Sequence, residues 1–331
     1  LPVQAAGTTS AYVAMPTSQR LLDTRQATPV PAGGTISVAV TGAAPLPAPG
    51  TVTAVVLNLT VTPPSAPGFW TVWPHTSPRP EASNLNVDEN QFLAGNVTPN
   101  LVTVPVGSDG VVDIYGSGGG NVIVDLLGYY TPAESATSGR FEPLATPTRV
   151  LDTRGVATFS AGETRAFTVP GAAGASAVAV NLTSVTNVPG FWQVYANGSP
   201  APATSNLNSP AGFSAAIANQ AIVTVDAAGA ISIYSENGGD LLIDLVGIYT
   251  GASAPSSTTG LFVPMTTPTR IVDTRAAGLN PLGGTTRPSI KSSFEVPVTS
   301  NPVIGRSDVS AVVLNATSVD ALTIGYITVG T

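Results

Sequence analysis

The sequence predicts an all-β protein: tandem antiparallel β-sandwich domains of about 120 residues, with a third copy that is incomplete. Three observations lead there. Short runs rich in Val, Thr, Ile and Tyr alternate with Gly and Pro, which number 34 and 30 and read as turn punctuation. No window sustains apolar residues at i, i+3, i+4 and i+7, so helices should be few. The same blocks of sequence also return along the chain, and that recurrence sets the domain boundaries. A small closed barrel is the alternative architecture for so many short strands.

In chain order, residues 1–10 (LPVQAAGTTS) form an N-terminal segment and read as a mature terminus or the start of a fragment, with any signal peptide removed. Repeat 1 spans 11–131, repeat 2 spans 140–250 and repeat 3 spans 261–331, the last with a front half only. Each opens with an aromatic (Tyr12, Phe141, Phe262), an apolar residue (Met15, Leu144, Met265) and then the motif QRLLDTRQA (19–27), TRVLDTRGV (148–156) or TRIVDTRAA (269–277). AVVLNLT (54–60) returns as AVAVNLT (177–183) and AVVLNAT (311–317). PGFWTVW (67–73) returns as PGFWQVY (189–195) and IGYITVG (324–330). Two blocks occur only twice: SNLN at 83–86 and 205–208, and VVDIYGSGGGNVIVDLLGYY (111–130) against AISIYSENGGDLLIDLVGIY (230–249). The latter reads as two strands around a glycine-rich connection, a hairpin. Small-residue linkers at 132–139 and 251–260 should be short and semi-extended.

Composition narrows the function. Charged residues make up 9% of the sequence, against about 25% in an ordinary soluble domain. The surface must therefore be built largely from Thr, Ser, Asn, Gly, Pro and Ala. A net charge of −7 without a basic patch argues against nucleic acid. The longest apolar stretches, such as AVVLNLTV (54–61) and LLIDLVGIY (241–249), fall far short of a membrane span. Cysteine is absent, which removes disulfides, thiol nucleophiles and Cys-based metal sites. The one histidine is His75, and no Ser/His/Asp constellation is legible, so hydrolase chemistry has little support. No cofactor or metal is expected. NVDENQ (86–91) could attract calcium, but repeat 2 carries NSPAGF there, without a carboxylate.

The repeated charges are the first candidate site. On a strand, Asp23 and Arg25 share a face. Asp125 and its counterpart Asp244 lie inside apolar runs, where a carboxylate must be paired or hydrogen-bonded. Arg20 or Arg25 is the natural partner, because a guanidinium fork matches a carboxylate. This makes Arg20, Asp23, Arg25 and Asp125 a structural clamp between the first and last strands. Arg149, Asp152, Arg154 and Asp244 repeat it. Arg270, Asp273 and Arg275 keep only part of it, so those arginines need a carboxylate from elsewhere. The competing reading is an acid/base pair of Asp23 and Asp125 for glycoside cleavage. A dyad copied with matched arginines into successive repeats favours the clamp.

Aromatic residues are the second candidate. Trp70, Trp192 and Ile327 alternate as a core face, while Phe69, Trp73, Phe191 and Tyr195 share the other face and could stack on sugar rings. The opposing expectation is that they pack under a neighbouring loop or linker. Asn58, Asn181 and Asn315 match glycosylation sequons, but they sit in strands and are expected to hydrogen-bond to a loop backbone.

The order R-L-L-D-T-R, N-L-T, G-F-W-T-V-W, S-N-L-N and D-L-L-G-Y-Y resembles a β-rich repeat of secreted and surface proteins of actinobacteria, acidobacteria and related bacteria. The resemblance runs from about residue 11 onward, with the last copy truncated. It implies an extracellular bacterial origin and a non-catalytic role. The expected function is a structural, self-assembling surface protein: a filament, sheath or layer subunit whose partner is itself and whose open third repeat is completed in trans. The rival expectation is that the sequence is cut from a longer one. The alternative function is a tandem module binding cell-wall or extracellular polysaccharide through the aromatic face.

Overall fold

The computed structural model describes residues 7–93, 97–186, 188–210, 216–266, 268–302, 304–319, 321, 325 and 327–330. Most of the N-terminal segment, and Tyr326 of the third aromatic block, lie outside the described residues. Repeat 1 is an antiparallel sandwich of two four-stranded sheets. Its strands are β1 (Ser10–Asp23), β2 (Gly34–Ala39), β3 (Ala54–Pro64), β4 (Gly68–Pro74), β5 (Leu85–Val87), β6 (Thr98–Pro105), β7 (Val111–Gly116) and β8 (Gly120–Pro132). One sheet runs β1-β8-β3-β6 and the other β2-β7-β4-β5. Val55, Leu57 and Leu59 of β3 and Val124 and Leu126 of β8 pack against Trp70, Val72, Val112 and Ile114 of the facing sheet.

Repeat 2 follows the same plan with β9 (Phe141–Asp152), β10 (Phe159–Thr168), β11 (Ala177–Val185), β12 (Gly190–Ala196), β13 (Leu207–Ser209), β14 (Ile217–Thr224) and β15 (Ala230–Tyr249). The glycine-rich block is not the hairpin that its sequence suggests. β7 pairs with β2 and β4, while β8 pairs with β1 and β3, so the connection crosses from one sheet to the other. In repeat 2 the crossing strand is continuous: the start of β15 pairs with β10 and β12, and its end with β9 and β11. Gly119 and Gly120, at φ 68° and 134°, and Gly238 and Gly239, at 80° and 112°, turn this corner. Only glycine adopts those angles in succession without strain.

Repeat 3 departs from the expected half-sandwich. Its described residues contain no strand, only isolated bridge residues at Phe262, which pairs with Ser10, and Met265. The reason lies in the pairing of the complete repeats. The front-half strands β1 and β3 both pair with β8, and β2 and β4 both pair with β7. Without its own crossing strand, repeat 3 has nothing to form a ladder on.

The repeats meet around an axis. Tyr12 N–H donates to the Gly139 carbonyl at 2.9 Å, Phe141 N–H to Gly260 at 2.8 Å and Phe262 N–H to Ser10 at 2.8 Å. These three bonds form a closed cycle from repeat 1 to 2, 2 to 3 and 3 to 1. An apolar cluster surrounds it: Tyr12, Tyr130, Tyr249, Phe141 and Phe262, with Ala54 and Val56 of β3 and Ala177 and Ala179 of β11. Strands β3 and β11 are therefore buried on both faces, which is why they read as continuous apolar runs. Their small residues face the axis and let the sandwiches approach.

The linkers are held by hydrogen bonds. Ala136 and Ser257 exchange two backbone hydrogen bonds of 3.0 Å. The buried Arg140 donates to the carbonyls of Ala136, Thr259 and Pro255 at 2.9, 3.0 and 3.2 Å. Gly139 sits at φ 79°, and a Cβ there would collide with the Tyr12 carbonyl, whereas Gly155, at φ 71°, faces open space. Gly139→Ala is expected to destabilise the protein by about 3 kcal/mol in urea unfolding, and Gly155→Ala by about 1 kcal/mol, the left-handed backbone cost alone.

Candidate functional site: the polar seam between repeats

The three residues of the DTR motif do three different things. Strand β1 ends at Asp23, and Thr24–Gln26 form one turn of 3-10 helix. Asp23 accepts the backbone N–H of Arg25 at 3.1 Å and its side-chain Nε and Nη2 at 2.9 and 2.6 Å. Arg25 thus folds back on Asp23 instead of continuing along a shared strand face, a correction to the sequence reading. Thr24 is buried, and its Oγ1 accepts Val122 N–H at 2.8 Å, anchoring the start of β8. Thr153 does the same for Leu241 at 2.9 Å. The Asp–Arg turn recurs as Asp152 with Arg154 and as Asp273 with Arg275, with side-chain contacts of 2.6–2.9 Å.

The arginine that reaches the strand carboxylate is Arg20. It stands opposite Asp125 in the β1–β8 register and grips it through Nε and Nη2. Arg149 grips Asp244 in the same way at 2.8 and 3.1 Å. The two clamps differ in cover: the Asp125 side chain is 2% exposed, that of Asp244 23%. Burial pushes the Asp125 carboxyl up to about 6, against the pull of Arg20. Asp23 and Asp152 lie near 2, held down chiefly by the hydrogen bonds from Arg25 and Arg154. Arg275 lowers Asp273 likewise.

What covers the Asp125 clamp is the neighbouring repeat. Arg20 Nη2 donates to the Ala203 carbonyl at 3.1 Å, and Asn58 Nδ2 to the Ser205 carbonyl at 2.9 Å. Asn219 Nδ2 donates to Asn58 Oδ1 at 3.1 Å and to the Asn206 carbonyl at 2.7 Å. Asn58 therefore does bond to a loop backbone, but the loop belongs to repeat 2. The residue is 1% exposed, so its sequon has no room for a glycan. Repeat 3 meets repeat 1 through the equivalent residues. Arg270 donates to Glu81 at 2.8 Å, Asn315 to Ser83 at 2.6 Å, and Asn100 to Asn315 Oδ1 at 3.1 Å and to the Asn84 carbonyl. Arg270 also keeps Asp273 at 3.0 Å. The partner segment is the SNLN block repeated at 83–86 and 205–208; its recurrence is legible in sequence, but not that it meets the Arg and Asn of a different repeat.

The aromatic face is divided. Trp73 is buried and its Nε1 donates to the Ser77 carbonyl at 3.0 Å, so at this position the expectation of packing under a loop holds and the exposed stacking face does not. Tyr195 is half-buried in a crevice with Met15 and Pro16 of repeat 1. Phe69 is exposed and packs on Tyr115 with ring centroids 5.9 Å apart, with the Arg79 guanidinium 3.8 Å above the Tyr115 ring. Phe191 and Tyr234 form the matching pair at 5.9 Å. Tyr115 and Tyr234 follow an Ile at the same position of the two blocks, a recurrence that the sequence carries without showing their ring partners.

One constellation that the sequence hid is Ser37, His75 and Asp113. Asp113 Oδ1 accepts Ser37 Oγ at 2.6 Å and lies 2.8 Å from His75 Nδ1. Both neighbours converge on one carboxylate oxygen, so His75 is not placed between serine and carboxylate as a nucleophile's base must be. Repeat 2 keeps a hydrogen bond there between Ser232 and Asn197, 3.2 Å, without the titratable groups. Asp88, in the acidic segment considered for calcium, caps the short helix Glu89–Leu93 by accepting Gln91 N–H at 2.8 Å. Among the described residues, no group of three or more His, Cys, Asp or Glu could hold a metal ion.

No family model and no curated protein matches this sequence. Among solved structures, it is similar to the CBM22-1–CBM22-2 tandem domain of Paenibacillus barcinonensis Xyn10C at 11% identity, over 77% of this protein and 99% of that one, with a TM-score of 0.19. It is similar to the ANXUR1 extracellular domain of Arabidopsis thaliana at 11% identity, over 74% and 99%, with a TM-score of 0.17. Scores this low carry no argument about arrangement or function.

Arg20→Met leaves Asp125 buried without its counter-charge and is expected to lower stability at pH 7 by about 3 kcal/mol. Arg149→Met, at the more exposed clamp, should cost about 1 kcal/mol. Burial raises the Asp125 carboxyl and Arg20 holds it down to about 6, so removing Arg20 raises it further, and the Arg20→Met deficit should shrink as pH falls toward 6 and the variant's carboxyl takes up a proton. The Asp–Arg turns have the opposite sign. Their folded values lie below 3.8, so their contribution is present above about pH 4 and is lost as pH falls toward 2. Urea midpoints measured from pH 2 to 8 on wild type and both variants check all four statements.

Proposed function

We propose that this protein is a non-catalytic, extracellular structural protein of a bacterial surface, with β repeats that serve as assembly units. One observation carries the reading. The charged and amide side chains that recur along the sequence are engaged with each other and, in repeats 1 and 3, with backbone carbonyls of a neighbouring repeat, not arrayed around a cleft. The resemblance of the motif order to repeats of secreted and surface proteins supports the location. No helix among the described residues is long and apolar enough to cross a membrane. A surface of 9% charged residues repels copies of itself weakly, which suits self-association into a filament, sheath or layer.

A second reading rests on the outer aromatic pairs. Phe69 with Tyr115, and Phe191 with Tyr234, offer repeated stacking platforms suited to a wall or extracellular polysaccharide. Negative-stain electron microscopy of the purified protein, paired with retention on insoluble cell-wall polysaccharide, separates the two. The structural reading expects regular polymers and no retention. Retention that disappears in Phe69→Ala/Phe191→Ala, with the fold intact, would replace it with the binding reading.

A further inference from the structure

We infer that the outer face of repeat 1 carries a binding site for an acidic polysaccharide, in which the Arg79 guanidinium takes the carboxylate of a uronic acid unit and Phe69 stacks on the sugar ring. The site rests on the polysaccharide reading of the aromatic pairs and narrows it to one repeat and one ligand class.

Arginine elsewhere in this protein engages internal anions. The clamp and turn arginines hold aspartates, and Arg165 and Arg306 hold Glu163 and Asp308. Arg79 departs from that use. Its guanidinium lies 3.8 Å above the Tyr115 ring, and among the described residues it has no hydrogen-bond or ion-pair partner. The carboxylate two residues away from Tyr115 on β7 is already engaged: Asp113 accepts Ser37 Oγ at 2.6 Å and lies 2.8 Å from His75 Nδ1.

The fold does not require Arg79. Its loop, HTSPRPEASN (75–84), aligns with NGSPAPATSN (197–206) of repeat 2, where Ala201 stands for Arg79, Asn197 for His75 and Ala203 for Glu81. Both loops return to their strand through the same bond: Asn84 N–H donates to the Trp70 carbonyl at 2.8 Å and Asn206 N–H to the Trp192 carbonyl at 2.9 Å. Phe191 and Tyr234 pair at 5.9 Å without an arginine above them, as Phe69 and Tyr115 do with one. Arg79 is therefore an addition to one copy of a shared scaffold, in a sequence with only 9% charged residues.

The loop presents that arginine in a fixed place. Pro78 and Pro80 flank it and restrict its backbone. The Ser77 carbonyl accepts Trp73 Nε1 at 3.0 Å and the Ala82 carbonyl accepts Thr71 Oγ1 at 2.8 Å, so the segment is tied on both sides. Stacking on Tyr115 orders the side chain while leaving it exposed. A guanidinium ordered in advance loses less freedom on binding, and its planar fork matches a carboxylate through two parallel hydrogen bonds. Phe69, against Tyr115, is 39% exposed and offers an apolar face to a pyranose ring. Thr35, exposed and opposite Tyr115 in the β2–β7 register, supplies a hydroxyl. A net charge of −7 repels acidic polymers in general, so binding of one is a property of this loop and not of the overall field.

Isothermal titration calorimetry with tetragalacturonate, in about 0.15 M salt, tests the site. The wild type should bind it, and should bind its methyl ester about tenfold more weakly, because esterification removes the charge and keeps the ring. Arg79→Ala and Phe69→Ala should each lower the affinity by about tenfold or more with unchanged thermal midpoints. Phe191→Ala, at the pair without an arginine, should leave it as in the wild type. Sodium acetate at the same carboxylate concentration should not compete. Absence of binding, equal affinity for acid and ester, or an Arg79→Ala variant that binds like wild type overturns the site. Competition by acetate overturns the saccharide assignment. Retention on insoluble wall polysaccharide is read separately: retention that depends on both phenylalanines but not on Arg79 upholds the general polysaccharide reading and sinks this site. Tetragalacturonate binding without such retention does the reverse.

Discussion

The crossing strand is the constraint on which the rest of the structure depends. In repeat 1 it is β7 followed by β8, and in repeat 2 the single strand β15. It pairs on both sides in both sheets, carries the clamp carboxylate and ends in a tyrosine at the axis. The strands that flank it, β1 and β3 in one sheet and β2 and β4 in the other, do not pair with each other, so their edges facing the crossing strand find their ladder partners in it. Repeat 3 makes the same point by omission. It keeps the apolar runs and the DTR motif but forms no strand among its described residues.

Burying a carboxylate in that strand has a consequence for the seam. Asp125 sits between apolar residues, so Arg20 must reach it, and Arg20 then lies at the sheet edge with donors to spare. The neighbouring loop presents bare carbonyls at that edge, and the arginine and Asn58 satisfy them together. One residue thus links the fold of a repeat to its docking on the next. The same logic explains why a protein so poor in charge repeats the few it has.

The axis adds a second kind of specificity. A cycle of three backbone hydrogen bonds fixes the rotational register of the repeats whatever their side chains, and the Tyr130 and Tyr249 hydroxyls meet at 2.8 Å beside it. Gly139 and Gly260 take positive φ there, and a Cβ on either would strike the backbone of the preceding repeat. Close approach of three backbone segments at an axis favours residues without side chains.

The sequence by itself determined the all-β class, the core positions of Trp70 and Trp192, and the need of Asp125 and Asp244 for arginine partners. These follow from local pattern: period-two alternation, turn residues, and the cost of a carboxylate among apolar neighbours. Tertiary structure decided the remainder. It made the glycine-rich block a corner instead of a hairpin, because both readings share turn chemistry and differ only in which strands lie nearby. It buried Trp73 under its own loop and brought Ser37, His75 and Asp113 together from three strands' surroundings. It also placed the loop that Asn58 binds in another repeat, 147 residues away along the sequence. Such contacts leave no periodic trace, since their distance in sequence is set by the packing of whole domains.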